Sequence, residues 1–411
     1  MQHYDPYLQW IDHQKEHMIN LVTTWSNINS HSMNLEGLAQ QLSALKEHFS
    51  LLGGEQQVLT LPPQHHIDCH GKDVVEPLGK ALLVTKRPNA TFRIFLSGHM
   101  DTVFHKNSPF QKAKRIDEAK IVGPGVTDMK GGLVILLMAL QAIEKSPFAV
   151  HIGWEVLITP DEEIGSPGSK AIFERAAKRN HLGLLFEPSF PDGAFVSERA
   201  GSMNLVLVVH GKSAHVGRDF EKGKSAIFAL APLVTELEKL NTQDVTCNVG
   251  EITSGHGFNI VPELAIVKIN IRSQSKAALL EAKEKIDILI KHTANKIEGI
   301  TMELHEMSVR HPKIQNKQTE KLFNWLEASM KELNEPLKKR ATRGVSDGNI
   351  LAEHGLDNID SLGAIGGEIH TTNEYLLVES LTKRAKLLAL FLMKIANSEF
   401  EMLNKEPPIA L

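Results

Sequence analysis

The sequence predicts an α/β fold, a mostly parallel sheet sandwiched by helices, interrupted by a smaller α+β domain. Three observations carry that prediction. Apolar runs at 81–85, 92–96, 156–159 and 182–186 have the length and continuity of buried strands, and helical segments alternate with them. The stretch 131–143 is apolar on nearly every side, as a helix packed inside a core must be. Near Arg199 the rhythm changes. Strands at 204–210 and 264–272, helices at about 224–240 and 276–297, and a strand at 301–309 give a β-α-β-β-α-β-like order with one helical face.

The elements follow in order. Leu35, Leu38, Leu42, Leu45 and Phe49 recur at helical spacing, and Gly53-Gly54 supplies a stop. The four apolar runs and the core helix come next. After His311-Pro312 a helix from about 318 to 333 returns the chain to the first sheet. The predicted organisation is therefore a first domain of residues 1–198 and 311–411, with residues 199–310 inserted into it.

Composition narrows the functional classes. The chain has 411 residues, 42% hydrophobic and 23% charged, which is ordinary for a globular protein. A formal net charge of -4 without a basic block argues against nucleic acid as a partner. Cys69 and Cys247 stand far apart and read as ordinary thiols. The N-terminus lacks the pattern of a secretory signal, and the most apolar run, 133–140, is too short for a bilayer. No membrane association and a cytoplasmic address are expected.

Five clusters carry chemistry. In the first, Ser97-Gly98-His99-Met100-Asp101-Thr102-Val103, a histidine and a carboxylate lie two residues apart at the end of an apolar strand. Such positions face the same way, so the carboxylate can hold an imidazole that binds metal. The second is the loop Gly123-Pro124-Gly125-Val126-Thr127-Asp128-Met129-Lys130-Gly131-Gly132. The third is Thr159-Pro160-Asp161-Glu162-Glu163-Ile164-Gly165-Ser166, and the fourth Phe186-Glu187-Pro188-Ser189. The fifth is Gly366-Gly367-Glu368-Ile369-His370-Thr371-Thr372-Asn373-Glu374-Tyr375. Singly, each has a structural explanation, such as a helix cap at Asp128 or a solvated acidic turn at Glu162-Glu163. Together they bring His, Asp and Glu to strand ends and Gly turns, where α/β sheets bind ligands. Two histidines and three carboxylates without a thiolate suit a pair of zinc ions.

In these motifs the sequence resembles the co-catalytic di-zinc metallopeptidases that include glutamate carboxypeptidase, acetylornithine deacetylase, succinyl-diaminopimelate desuccinylase and aminoacylase. The resemblance runs from about Leu83 to near the end of the chain. It implies a zinc-peptidase-like catalytic domain and a ferredoxin-like dimerisation, or lid, domain. It also implies two Zn2+ per subunit, with Co2+ or Mn2+ as substitutes. His99 and Glu187 would serve one ion, His370 and Glu163 the other, and Asp128 would bridge them. Asp101 would clamp the His99 imidazole, and Glu162 would be the general base. The Asp128-Met129 peptide is implied to be cis.

The inserted domain carries further matches. In His210-Gly211-Lys212-Ser213-Ala214-His215-Val216-Gly217, the resemblance implies that His215 reaches a partner subunit's site and polarises the scissile carbonyl. Asn259 and Arg272 would bind the substrate's carbonyl or carboxylate, with backbone N–H groups of Gly366 and Gly367 beside them. The expected assembly is a homodimer, and the expected substrate a small peptide or N-acyl amino acid with a free carboxylate. Phe186-Glu187-Pro188-Ser189 and Asn248 to Ile252 favour the glutamate carboxypeptidase branch. An N-acyl amino-acid deacylase is the alternative, and a non-catalytic binding relative would need a lost ligand or base. Val216, Ser254 and Gly348 depart from common family residues and bear on substrate fit rather than on metal chemistry.

Overall fold

The computed structural model describes residues 2–255 and 257–400. Its central sheet has six strands in the order Glu55–Thr60, Lys80–Lys86, Ile152–Thr159, Phe92–His99, Leu182–Leu185, Asn358–Ile359. Only Lys80–Lys86 runs against the others, since both of its neighbours pair with it antiparallel while the remaining pairs are parallel. The predominantly parallel sheet is thus as the apolar runs predict.

Alternation along these strands supplies two hydrophobic layers. Leu82, Val84, Ile94, Leu96, Val156 and Ile158 face one core, with the helices Gly131–Glu144 and Glu379–Ala396. Ala81, Leu83, Phe95 and Leu157 face the other, with Phe173 of Lys170–Arg179 and Leu351 of Asp347–Glu353. Burial on both sides explains the apolar run 156–159, and the strand's one charged residue, Glu155, is paired with Arg179 at 2.7 Å. The segment Val126–Glu144 has the length and apolarity of a membrane span, beyond what the run 133–140 indicates, but its most apolar 18-residue window is 94% buried inside the molecule. At Gly132 an added Cβ would lie 2.2 Å from the Phe186 carbonyl oxygen, so only glycine lets this helix approach the strand end so closely.

The chain between Gly201 and Arg310 forms a second sheet, ordered Val245–Ser254, Leu264–Ser273, Gly201–His210, Thr301–Arg310, and wholly antiparallel. Helices Ala226–Glu238 and Lys276–Lys296 cover one face around a separate hydrophobic core. This is the ferredoxin-like arrangement. The other face of the sheet receives a hairpin, Gln64–Ile67 and Asp73–Glu76, whose Ile67 packs with Val206, Val208 and Ile266. Where the chain leaves and re-enters the first sheet, Arg199 and Lys313 exchange backbone hydrogen bonds of 2.9 and 3.0 Å. The two crossings therefore form one paired junction.

Candidate metal centre

Strand register assembles the centre. His99 is the last residue of its strand and sits opposite Thr159, which ends the neighbouring strand. The loop carrying Glu162 and Glu163 follows Thr159 directly, and Glu187 lies two residues beyond Leu185. Asp128 enters from the loop before the core helix, next to a cis Asp128-Met129 peptide. His370 comes from the loop after Gly366–Gly367.

These side chains converge. Asp128 Oδ1 lies 3.1 Å from His99 Nε2, and Asp128 Oδ2 lies 3.3 Å from His370 Nε2. Glu163 Oε2 is 3.3 Å from the same His370 nitrogen, and Glu187 Oε2 is 3.9 Å from His99 Nε2. Each oxygen of Asp128 thus faces a different imidazole, with Glu187 on one side and Glu163 on the other. The donor atoms of His99, Asp128 and Glu163 all lie within 4.8 Å of one another. Tetrahedral zinc with bonds of about 2.0–2.2 Å sets its ligand atoms about 3.3–3.6 Å apart, and the separations here, 3.1–3.9 Å, lie around that range.

Electrostatics agree with a cation-binding set. Burial, then the charge of Asp128, pushes the Glu163 carboxyl up to about 8. Burial also drives Glu187 well above the carboxylate range. At Asp128 burial opposes ionisation, but hydrogen bonds to His370 and His99 hold its carboxyl below the ordinary range. Hydrogen bonds to Asp128 and Glu163 push His370 up to about 10. Without metal the cluster thus holds on to protons, at Glu163, Glu187 and His370, to offset its crowded negative charge, and divalent cations would supply that positive charge instead.

Asp101 does more than orient the imidazole. His99 Nδ1 is 3.0 Å from the Asp101 backbone carbonyl and 3.4 Å from its carboxylate. The carboxylate oxygens accept from the Glu162 N–H (3.2 Å), the Glu163 N–H (3.1 Å) and the Ser32 hydroxyl (2.7 Å). One buried residue thus fixes both, the first histidine chiefly through its backbone carbonyl and the loop bearing the two glutamates through its carboxylate.

Comparison with known proteins gives this arrangement a lineage. The profile of peptidase family M20/M25/M40 matches residues 95–394, most of the chain. This chain belongs to peptidase family M20/M25/M40. Carboxypeptidase G2 of Pseudomonas sp. (strain RS-16) is 26% identical over 314 residues, 74% of this chain and 74% of that protein. Succinyl-diaminopimelate desuccinylase of Helicobacter pylori (strain HPAG1) is 25% identical over 375 residues, 84% of this chain and 90% of that protein. The M20 metallo-carboxypeptidase Sso-CP2 of Sulfolobus solfataricus shares the fold, with a TM-score of 0.72 at 17% identity over 92% of this chain and 99% of that one. As a member of the M20/M25/M40 family the chain is a metal-dependent hydrolase of peptide or amide bonds.

In this M20/M25/M40 chain the centre opens into a cleft of about 880 Å³ lined by both parts of the molecule. Arg272, Gly366 and Gly367 line it. The two glycines pair with Tyr375 and Leu376, and a Cβ on Gly366 would lie 2.1 Å from the Tyr375 oxygen. His215 and Asn259 do not reach the cleft. Both are exposed on neighbouring loops, tied by a 3.0 Å hydrogen bond from the Val216 N–H to the Asn259 oxygen.

Sequence reasoning missed four supporting residues. Glu374 accepts from the N–H groups of Gly125, Thr127 and Asp128 at 2.9–3.1 Å, and so holds the loop that carries Asp128. Its signal was a carboxylate four residues after His370, inside a motif already singled out. Ser32 comes from a segment outside every motif. Arg310 and Asp347 form an ion pair of 2.9 Å behind Glu162, from positions 37 residues apart.

Proposed function

We propose that the chain carries two zinc ions and cleaves an amide or peptide bond beside a free carboxylate, as a glutamate carboxypeptidase does. Cobalt or manganese would serve as substitute metals. The observation behind the carboxylate is the pairing of the cleft's arginines. Arg199 pairs with Asp360, and Arg310 with Glu162 and Asp347. Arg272 donates instead to Asn270 Oδ1 (3.0 Å) and the Arg343 carbonyl (2.8 Å), with no ion pair among the described residues. Its charge is the one left for an anionic substrate group, which a guanidinium binds well.

In this reading His99, Asp128 and Glu187 hold one ion, and His370, Asp128 and Glu163 the other. Bound together, the two ions would acidify a water and polarise the scissile carbonyl. Glu162 takes the proton of the attacking water and returns it to the leaving amine. Asp101 keeps Glu162 and Glu163 in their separate tasks by holding both of their backbone N–H groups. An N-acyl amino-acid deacylase is the second reading, favoured by the longer match to the desuccinylase. Both reactions place a carboxylate at Arg272.

The test is turnover of folate-like glutamates, dipeptides and N-acyl amino acids by zinc-loaded protein. Replacing Arg272 by alanine should raise KM about 10- to 100-fold, the worth of a charged hydrogen bond, and change kcat little. An unchanged KM would remove Arg272 from the substrate site. We also propose a homodimer in which His215 and Asn259 complete the partner's cleft. Supporting this, Ile227, Phe228 and Ile252 are exposed on the inserted domain, Phe228 by 74%. Sedimentation should show a dimer, and a fully active monomer would end the assignment of His215 across subunits.

A further inference from the structure

We infer that Arg310 is a positioning residue for Glu162 and makes the placement of the base depend on the inserted domain. This rests on the proposed role of Glu162 as general base. Arg310 is the last residue of the strand Thr301–Arg310, and it is 5% exposed. Its Nη1 donates to Glu162 Oε1 at 3.0 Å. Its Nη2 donates to Ser166 Oγ at 2.8 Å and Asp347 Oδ1 at 2.9 Å. One planar guanidinium thus spans the catalytic loop at Glu162 and Ser166 and the buried carboxylate of Asp347.

The backbone of Glu162 is already fixed by Asp101, but its side chain retains rotatable bonds that this anchor does not touch. Arg310 supplies the missing restraint at the carboxylate itself. A lysine could not serve alike, because a single ammonium lacks the rigid fork that reaches both sides. A direct grip on substrate fits Arg310 poorly. Both of its Nη atoms are engaged, and its charge is met by Glu162 and Asp347, whereas Arg272 has no such partners among the described residues.

The position of Arg310 in the chain adds the second half of the inference. It lies three residues before Lys313, which pairs with Arg199 to form the junction between the two sheets. Rotation of the inserted domain about that junction moves the Arg310 guanidinium relative to Glu162. The base is therefore held in this geometry only while the domain is placed as it is here.

The experiment compares kcat and KM for Arg310→Ala in the wild-type and Glu162→Asp backgrounds, on a substrate the wild type turns over. Zinc content and unfolding midpoint are read alongside. In the wild-type background the replacement should lower kcat about 10²-fold with KM little changed, the scale of a misplaced catalytic group. In Glu162→Asp the carboxylate is one methylene short of the guanidinium, and the same replacement should change kcat by no more than about two- to threefold. If Arg310→Ala does not fold, Arg310→Lys keeps the charge without the fork and should show the same split. A raised KM with unchanged kcat would make Arg310 a substrate contact. Equal losses in both backgrounds would make it a purely structural residue. Either result overturns the inference. A wild type inactive on every substrate class would instead overturn the proposed function.

Discussion

Glu162→Gln is expected to lower kcat by about 10²–10⁴-fold, the range for a lost general base, while bound metal and the unfolding midpoint stay at wild-type values. The separation of Glu162 from the ligands motivates this. Its neighbour Glu163 lies 3.3 Å from His370, whereas the Glu162 carboxylate turns to Arg310. The glutamine oxygen can still accept that hydrogen bond, so the substitution removes a proton acceptor and leaves the geometry standing. The measurement is steady-state kinetics with metal analysis on the same preparation. A variant that kept its kcat, or that lost metal in proportion to activity, would remove Glu162 from the role of base.

Stripping metal with a chelator is expected to lower the unfolding midpoint by several degrees, and by more at about pH 8 than at about pH 5.5. Ligand linkage supplies the size: each ion held at 100 times its Kd stabilises the fold by about 2.7 kcal/mol. The pH dependence comes from the ligands. Glu163 is raised to about 8 in the fold, by burial and then by the charge of Asp128. A carboxyl raised in this way stabilises the metal-free fold fully below its unfolded value. That stabilisation is lost as pH rises through about 8. Glu187 has the same sign. His370, raised to about 10 mainly by Asp128, also stabilises below its unfolded value and loses that stabilisation as pH rises through about 10. Asp128 is held low, so its contribution falls away only in acid, outside this window. The metal-free protein therefore weakens from about pH 5.5 to pH 8 while metal, which needs deprotonated ligands, binds better. Differential scanning fluorimetry with and without chelator at both pH values checks this. A midpoint difference that shrank with rising pH would contradict it.

The fold was legible where one physical signal dominated. Burial on both faces made the run 156–159 apolar, and the core helix apolar on nearly every side over 131–143, so both could be read directly. The hairpin Gln64–Glu76 could not, because of its two strands only Ile67 is buried, and the other residues, Val74 and Val75 included, are exposed or half-exposed. The edge strand Val245–Ser254 was implied by the order of its neighbours rather than by its own pattern, which is largely exposed after Cys247. At the metal centre the donors were legible because each lies in a short Gly- or Pro-flanked motif at a strand end. Their supports were not. Ser32, Arg310 and Asp347 act by reaching across the fold, and a sequence carries no local mark of a partner 148 positions away, as Arg310 and Glu162 are.

The hairpin Gln64–Glu76 gives the molecule a thermal character. Ile67 closes an apolar patch with Val206, Val208 and Ile266, so the inserted sheet is grasped from the side its own helices leave open. Swinging that sheet away would expose the patch to water. Hydration of apolar surface weakens its opposition on cooling and carries a large heat-capacity change. The clasp is thus tightest in warm solution and relaxes in the cold, and any step of turnover that separates the two sheets inherits a curved dependence on temperature.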